Sequence, residues 1–230
     1  SATSPDSSTQ SSSQSTDKAD GGHSSNGAGT DNANGTGGVG GTDGADGNGQ
    51  DTVTDNPLKI VESGWSANQQ GYVHYAFALR NTSTTQQVQY PQITITGRAK
   101  DGSIVFSQTQ ALNMAFPNQT VYDAGQAGEG TAPETVDFTV LNPDTYNVAK
   151  AQGTAAFPIN GEVHAVADGF KPSDGQQIKI SLVLRNAQNA IIYGDITFVD
   201  WPGNGRSAPF SITVYDLPKY ASYDLYAQIW

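Results

Sequence analysis

The chain has 230 residues, 22 acidic against 11 basic side chains, a formal net charge of −11 and no cysteine. With no cluster of Lys or Arg, an acidic chain offers phosphate backbones and anionic membranes nothing to condense on, which argues against nucleic acid and against a basic membrane-binding face. Missing cysteines exclude a disulfide framework, a thiolate metal site and a cysteine nucleophile.

Residues 1–56 contain no Leu, Ile, Met or aromatic side chain; their apolar content is a few Ala with Val39 and Val53. Such a segment cannot bury enough surface to offset a chain entropy of ~1–2 kcal/mol per residue, so disorder is expected. Its composition moves from Ser/Thr-rich to Gly/Asp/Asn-rich, and its net charge is −7, from eight Asp and Lys18. That makes a flexible, self-repelling tether with an r.m.s. span of ~40 Å. It resembles the spacer after the lipidated cysteine of bacterial lipoproteins, although another secreted or disordered arm fits the composition too. The run DGADGNGQD (43–51) lacks the closing Glu of an EF-hand loop, and the tail has no Glu at all, so it reads as solvated linker rather than a calcium site. No apolar run approaches the ~20 residues of a membrane span, and no signal peptide is visible, as expected of a mature or trimmed chain.

An internal repeat organises the rest. At an offset of 105 residues, LKIVESGWSANQQGYVHYAFALRN lies on VHAVADGFKPSDGQQIKISLVLRN without a gap, with Trp65 over Phe170. Val73, Tyr75, Phe77 and Leu79 match Ile178, Ile180, Leu182 and Leu184, one face of a period-two strand; Arg80 and Asn81 match Arg185 and Asn186. The alternate positions, His74, Ala76 and Ala78 against Lys179, Ser181 and Val183, are mixed, as an outer face would be. A duplication is inferred, in which the same early strand pair opens two consecutive domains.

Along the first unit, QITITGRAK places Ile93, Ile95 and Gly97 on one face, and Asp101-Gly102 predicts a two-residue hairpin turn before SIVFSQ. TQALNMAF allows a single helical turn, and AFPNQTVYDAGQAGEGTAPE reads as loop with one short strand. ETVDFTV alternates through Val136, Phe138 and Val140. In the second unit AIIYGDITFVDW, APFSITVYD and SYDLYAQIW read as strands, with the hairpin equivalent to 91–108 lost and Phe210, Ile212 and Val214 repeating Val136, Phe138 and Val140. Short strands at turn-punctuated intervals predict an all-β fold of two tandem immunoglobulin-like β-sandwiches, 57–155 and a shortened 156–230, after the disordered 1–56 tail.

The order strand, Arg-Asn-Thr-Ser, strand, Lys-Asp-Gly-Ser, strand, Pro-Asn-Gln-Thr, strand resembles the FxLYD-type immunoglobulin-like modules on lipoproteins of Gram-positive bacteria. Asn81, Thr82, Ser83, Asp101, Gly102, Pro117, Asn118, Gln119, Thr120 and Phe138 carry the resemblance. Asn118 stands where that family commonly has Gly, and ITGRAKDG replaces its aromatic-Leu-Tyr-Asp run. The resemblance implies a surface-exposed binding or spacer module with no family-wide catalytic residues.

Chemistry-bearing motifs are sparse. His23, His74 and His164 show no zinc-ligand spacing, and no Gly-x-Ser-x-Gly elbow or phosphate loop is present. Asp195, Asp200, Asp216 and Asp224 would suit a glycosidase only if paired across a cleft. No catalytic, cofactor or metal site is therefore assigned. The candidate binding patch is aromatic: Trp201, Tyr215, Tyr220, Tyr226 and Trp230, which either meet a ligand or cover the junction between the sandwiches. The expected role is non-enzymatic: an extracellular, cell-envelope protein, lipid-anchored outside this sequence, whose two modules bind an envelope or host protein. The alternative is a carbohydrate-binding module centred on Trp201.

Overall fold

The computed structural model describes residues 53–151, 154–156, 162–164, 166–168, 173, 175–203 and 206–230. The tail through residue 52, Phe170 and the side chain of His164 lie outside the described residues. The fold is all-β, built from small antiparallel sheets, and the described residues fall in one compact unit.

Strands β1 (Leu58–Ala67), β2 (Val73–Asn81) and β7 (Thr120–Ala127) form a sheet with β2 in the middle. Facing it are β4 (Gln92–Arg98), flanked by β5 (Ile104–Ala111) and β8 (Thr135–Val140), and β3 (Gln86–Gln89), flanked by β6 (Met114–Ala115) and β9 (Val148–Lys150). A third large sheet has β13 (Gln177–Arg185) between β14 (Ile191–Asp200) and β16 (Ser222–Ile229). Two short ribbons complete the strands: β10 (Thr154–Ala156) pairs with β12 (Val166–Asp168), and β11 (Glu162–His164) with β15 (Ser207–Pro209).

Alternation fixes what each face covers. Val73, Tyr75, Phe77 and Leu79 are fully buried against Ile93, Ile95, Val88 and Phe106, with Val136, Phe138 and Val140 closing the first core. Ile178 and Ile180 meet Val199, Phe210 and Ile229, while Leu182 and Leu184 meet Tyr193 and Val214. Both repeated strands are thus central in a three-stranded sheet, with the aligned apolar faces inward. The repeated Asn has the same use twice: Asn81 Oδ1 accepts from Ser83 N at 3.0 Å, and Asn186 Oδ1 accepts from Gln188 N and Ala190 N, each at 3.0 Å.

Several expectations need correction. In the first unit β2 pairs with the strand before it, β1, whereas β13 pairs with the strand after it, β14; β11 and β12, aligned with β1, pair elsewhere. The early strand pair is therefore not reproduced. The faces expected to be outer are buried: Ala76, Ala78, Lys179, Ser181 and Val183 are all buried, with Ala76, Ala124, Val183 and Ile191 forming a cluster where the two large sheets meet. TQALNMAF runs through the end of β5 into β6, with no helical turn. The turn between β4 and β5 encloses three residues, 100–102, not two: Ala99 N donates to Ser103 O at 2.9 Å, and within the turn only Gly102 has positive φ, at 84°. Residues 210–215 lie in no strand, although Phe210, Ile212 and Val214 still pack inward. The one short strand expected in the loop-rich stretch before residue 135 is present as β7, eight residues long.

Two glycines allow this close stacking. A Cβ on Gly194 would fall 2.3 Å from Tyr75 O and 2.8 Å from the Cβ atoms of Ala76 and Ala124; one on Gly64 would fall 1.8 Å from Ile191 O. Backbone obstructs both, so no rotamer change relieves it. Gly194→Ala is expected to destabilise by about 1–3 kcal/mol through overpacking. Gly102→Asn, in open space and in the left-handed region that Asn tolerates, is expected to stay within about 0.5 kcal/mol. Urea unfolding of the two variants measures the contrast.

Candidate functional site

The junction between the large sheets is polar as well as close. On β7 the residues on the face shared with Phe77 are Val121, Asp123, Gly125 and Ala127, with Asp123 directly opposite Phe77. Lys179 Nζ, arriving from β13, lies 2.7 Å from Asp123 Oδ1, with the two side chains 1% and 0% exposed. Gln228 Nε2 donates to the same oxygen at 3.0 Å and to Tyr122 O at 3.3 Å. Burial pushes the Asp123 carboxyl up from its ordinary value, and the adjacent ammonium opposes that rise.

A second ionic group sits at the rim. Arg185 forks onto Glu62 through Nη1 and Nη2 at 2.8 and 2.9 Å, and its Nε reaches Asp224 at 2.8 Å. Tyr122 OH donates to Glu62 and its ring stacks on Tyr226 at 3.8 Å; His74 stacks on Tyr193 at 4.8 Å. The Arg185 guanidinium holds Glu62 below the ordinary 4.5. Arg80, aligned with Arg185 in the repeat, bonds instead within its own sheet neighbourhood, to Asn118 O and Thr120.

Concavities lie beside this junction. An apolar cleft of about 200 Å³ is lined by Tyr90, Ala111, Leu112, Asn113 and Trp230. On the other side of Tyr90 a polar pocket of about 220 Å³ is lined by residues including Gln92, Asn142, Asp144 and Asn147. Tyr90 holds φ at 51°, a strained conformation for an aromatic residue. The corner is pinned on both sides: Tyr90 N donates to Asn113 O and Leu112 N to Pro91 O, both at 2.9 Å. The Trp230 ring lies 4.2 Å from Lys179 Nζ, and Trp230 N donates to Gln177 O at 2.9 Å.

The five aromatic candidates do not share one environment. Tyr215 is 78% exposed and Tyr220 is exposed; Tyr226 is taken up by its stack on Tyr122, and Trp201 packs on the Ile178, Ile180 and Ile229 core. Trp230 alone of the five lines a described cleft. Sequence reading did not single out Tyr90, Asp123 or Lys179. A residue before Pro91 in the left-handed region has no sequence mark. Lys179 could have been noticed as a charge on a strand whose neighbours are otherwise apolar. The four carboxylates have separate uses: Asp224 meets Arg185, Asp195 receives from Tyr193 OH at 3.2 Å, and Asp200 from Gln177 at 3.4 Å; Asp216 takes a positive φ of 52°. Among the described residues no group of three His, Asp or Glu is placed to hold a metal ion.

In comparison with known proteins, the chain matches no family model, no curated protein and no solved structure.

Removing one partner of a dry ion pair strands the other. Lys179→Met is therefore expected to cost about 3–5 kcal/mol, and adding Asp123→Leu to recover most of it; a double-mutant unfolding cycle checks this. Glu62 gives a pH signature. Its folded pKa is depressed, so its stabilisation is present above 4.5, its unfolded value, and is lost as pH falls through the folded value. Melting temperatures across that acid range should fall more steeply for the wild type than for Glu62→Gln.

Proposed function

We propose that the chain is a non-enzymatic binding protein of the cell envelope: a flexible acidic tail carrying paired immunoglobulin-like sandwiches that engage a partner at the Tyr90–Trp230 cleft. The cleft carries the proposal. Its two aromatic walls belong to different parts of the fold, and each is held from behind, Tyr90 by the Pro91 corner and Trp230 by the buried Lys179. Pre-ordered exposed rings are what recognition surfaces use, because little entropy is then lost on binding.

The tail composition and the resemblance to FxLYD-type lipoprotein modules support attachment outside the cell, through a lipid anchor not contained in this sequence. The partner is then an envelope or host protein or a glycan. In intact producing cells, the protein is expected to be removed by external protease and to need detergent for extraction. Recovery from the cytosol overturns the envelope assignment. Immobilised wild-type protein is expected to retain an envelope component that Tyr90→Gly releases; glycine keeps the left-handed corner while removing the ring. Equal retention by both forms overturns the cleft.

A further inference from the structure

Aromatic surface continues beyond the cleft. Phe198 lies 5.7 Å from Trp230 with the ring planes at 58°, so Tyr90, Trp230 and Phe198, which are 50%, 38% and 39% exposed, border one another in sequence across the junction. A broad depression bordered by Thr197, Phe198, Phe210 and Ser211 adjoins the far end. At the near end lies the pocket with Gln92, Asn142, Asp144 and Asn147.

We infer that this strip is a binding site for a neutral saccharide chain. The inference rests on the cleft being the recognition site proposed above. A pyranose has apolar C–H faces and a rim of hydroxyls, each both donor and acceptor. The strip matches both: rings for the faces, and side-chain amides, which also donate and accept, for the rim. Among the described residues no Lys or Arg lines the three concavities, and the chain is net acidic, so an anionic glycan finds no counter-charge among them. The 58° tilt between neighbouring rings presents a twisted platform, which suits a single soluble chain rather than the flat face of a crystalline polysaccharide. A proline-rich peptide is the competing occupant of an aromatic groove, but the amide-lined pocket gives the sugar hydroxyls partners that proline rings would not use.

The probes are the hexasaccharides and disaccharides of β-1,4-linked glucose and of β-1,4-linked N-acetylglucosamine, with a proline-rich decapeptide alongside, measured by calorimetry on the whole chain. At least one hexasaccharide is expected to bind, at least tenfold more tightly than its disaccharide. Tyr90→Gly and Phe198→Ser should each weaken it by tenfold or more with melting temperature unchanged, and Tyr215→Ala should have no effect. Absence of binding by both hexasaccharides at millimolar concentration overturns the inference, as does binding that survives Tyr90→Gly. Peptide binding lost in Tyr90→Gly, with no sugar bound, overturns the saccharide and leaves the binding-module reading standing. The same holds for an envelope component released by Tyr90→Gly that neither hexasaccharide displaces.

Discussion

The Lys179–Asp123 pair is the constraint around which the junction is arranged. Two opposite charges with essentially no solvent contact are tolerable only if each is held by the other and by further hydrogen bonds. Gln228 supplies one of those bonds and Trp230 places its ring over the ammonium. Strands β7, β13 and β16 are thereby fixed in mutual register. A sliding of one sheet by a single pair of residues would move Lys179 away from Asp123 and leave both charges buried alone. Apolar contact between Ala76, Ala124 and Val183 sets no such register, because small aliphatic surfaces tolerate displacement.

The glycines and the ion pair act together. Gly194 and Gly64 let backbone lie on backbone, bringing the sheets close enough for Lys179 to reach the β7 carboxylate. At the rim, Arg185 spans Glu62 of β1 and Asp224 of β16, tying the outer edge of one sheet to the outer edge of the other. The result is a body held at its centre by a dry charge pair and at its periphery by a partly solvated one. The two respond differently to their surroundings: salt and acid reach Glu62, while Asp123 is shielded from both.

Much of this architecture was legible in the sequence. The period-two runs at 73–79 and 178–184 marked both central strands and both cores, since a strand half-facing solvent would show the same alternation on its apolar side. What alternation cannot say is what covers the other side. His74, Ala76 and Ala78 look like a solvated face because they are small or polar, and small residues are also what close sheet stacking requires. Strand β7 was legible only as one short strand in a loop-rich stretch, for a related reason. Its face toward the first core reads Val, Asp, Gly, Ala: Gly125 makes room for the Tyr75 hydroxyl, which a Cβ there would meet at 2.7 Å, and Asp123 answers a lysine 56 residues onward. A strand whose composition is dictated by its neighbours carries little signal of its own. Trp230 was named from its aromatic character alone; Tyr90 could not be, because its exposure follows from a backbone conformation.

Two strands with matching sequences need not have the same fold around them. Once β2 and β13 both had one strongly apolar face, each needed a core on that side, and both have one. Their second faces differ and meet at the junction: Ala76 of β2 packs with Val183 of β13, and Lys179 of β13 reaches Asp123 of β7. The aligned Arg80 and Arg185 mark this difference, since the first bonds locally and the second across the junction. Lys179 also lies beneath Trp230. The ring that borders the cleft therefore rests on the ammonium of the charge pair that registers the sheets, and its backbone is tied to Gln177 of the same strand, so displacing the junction would displace the cleft wall.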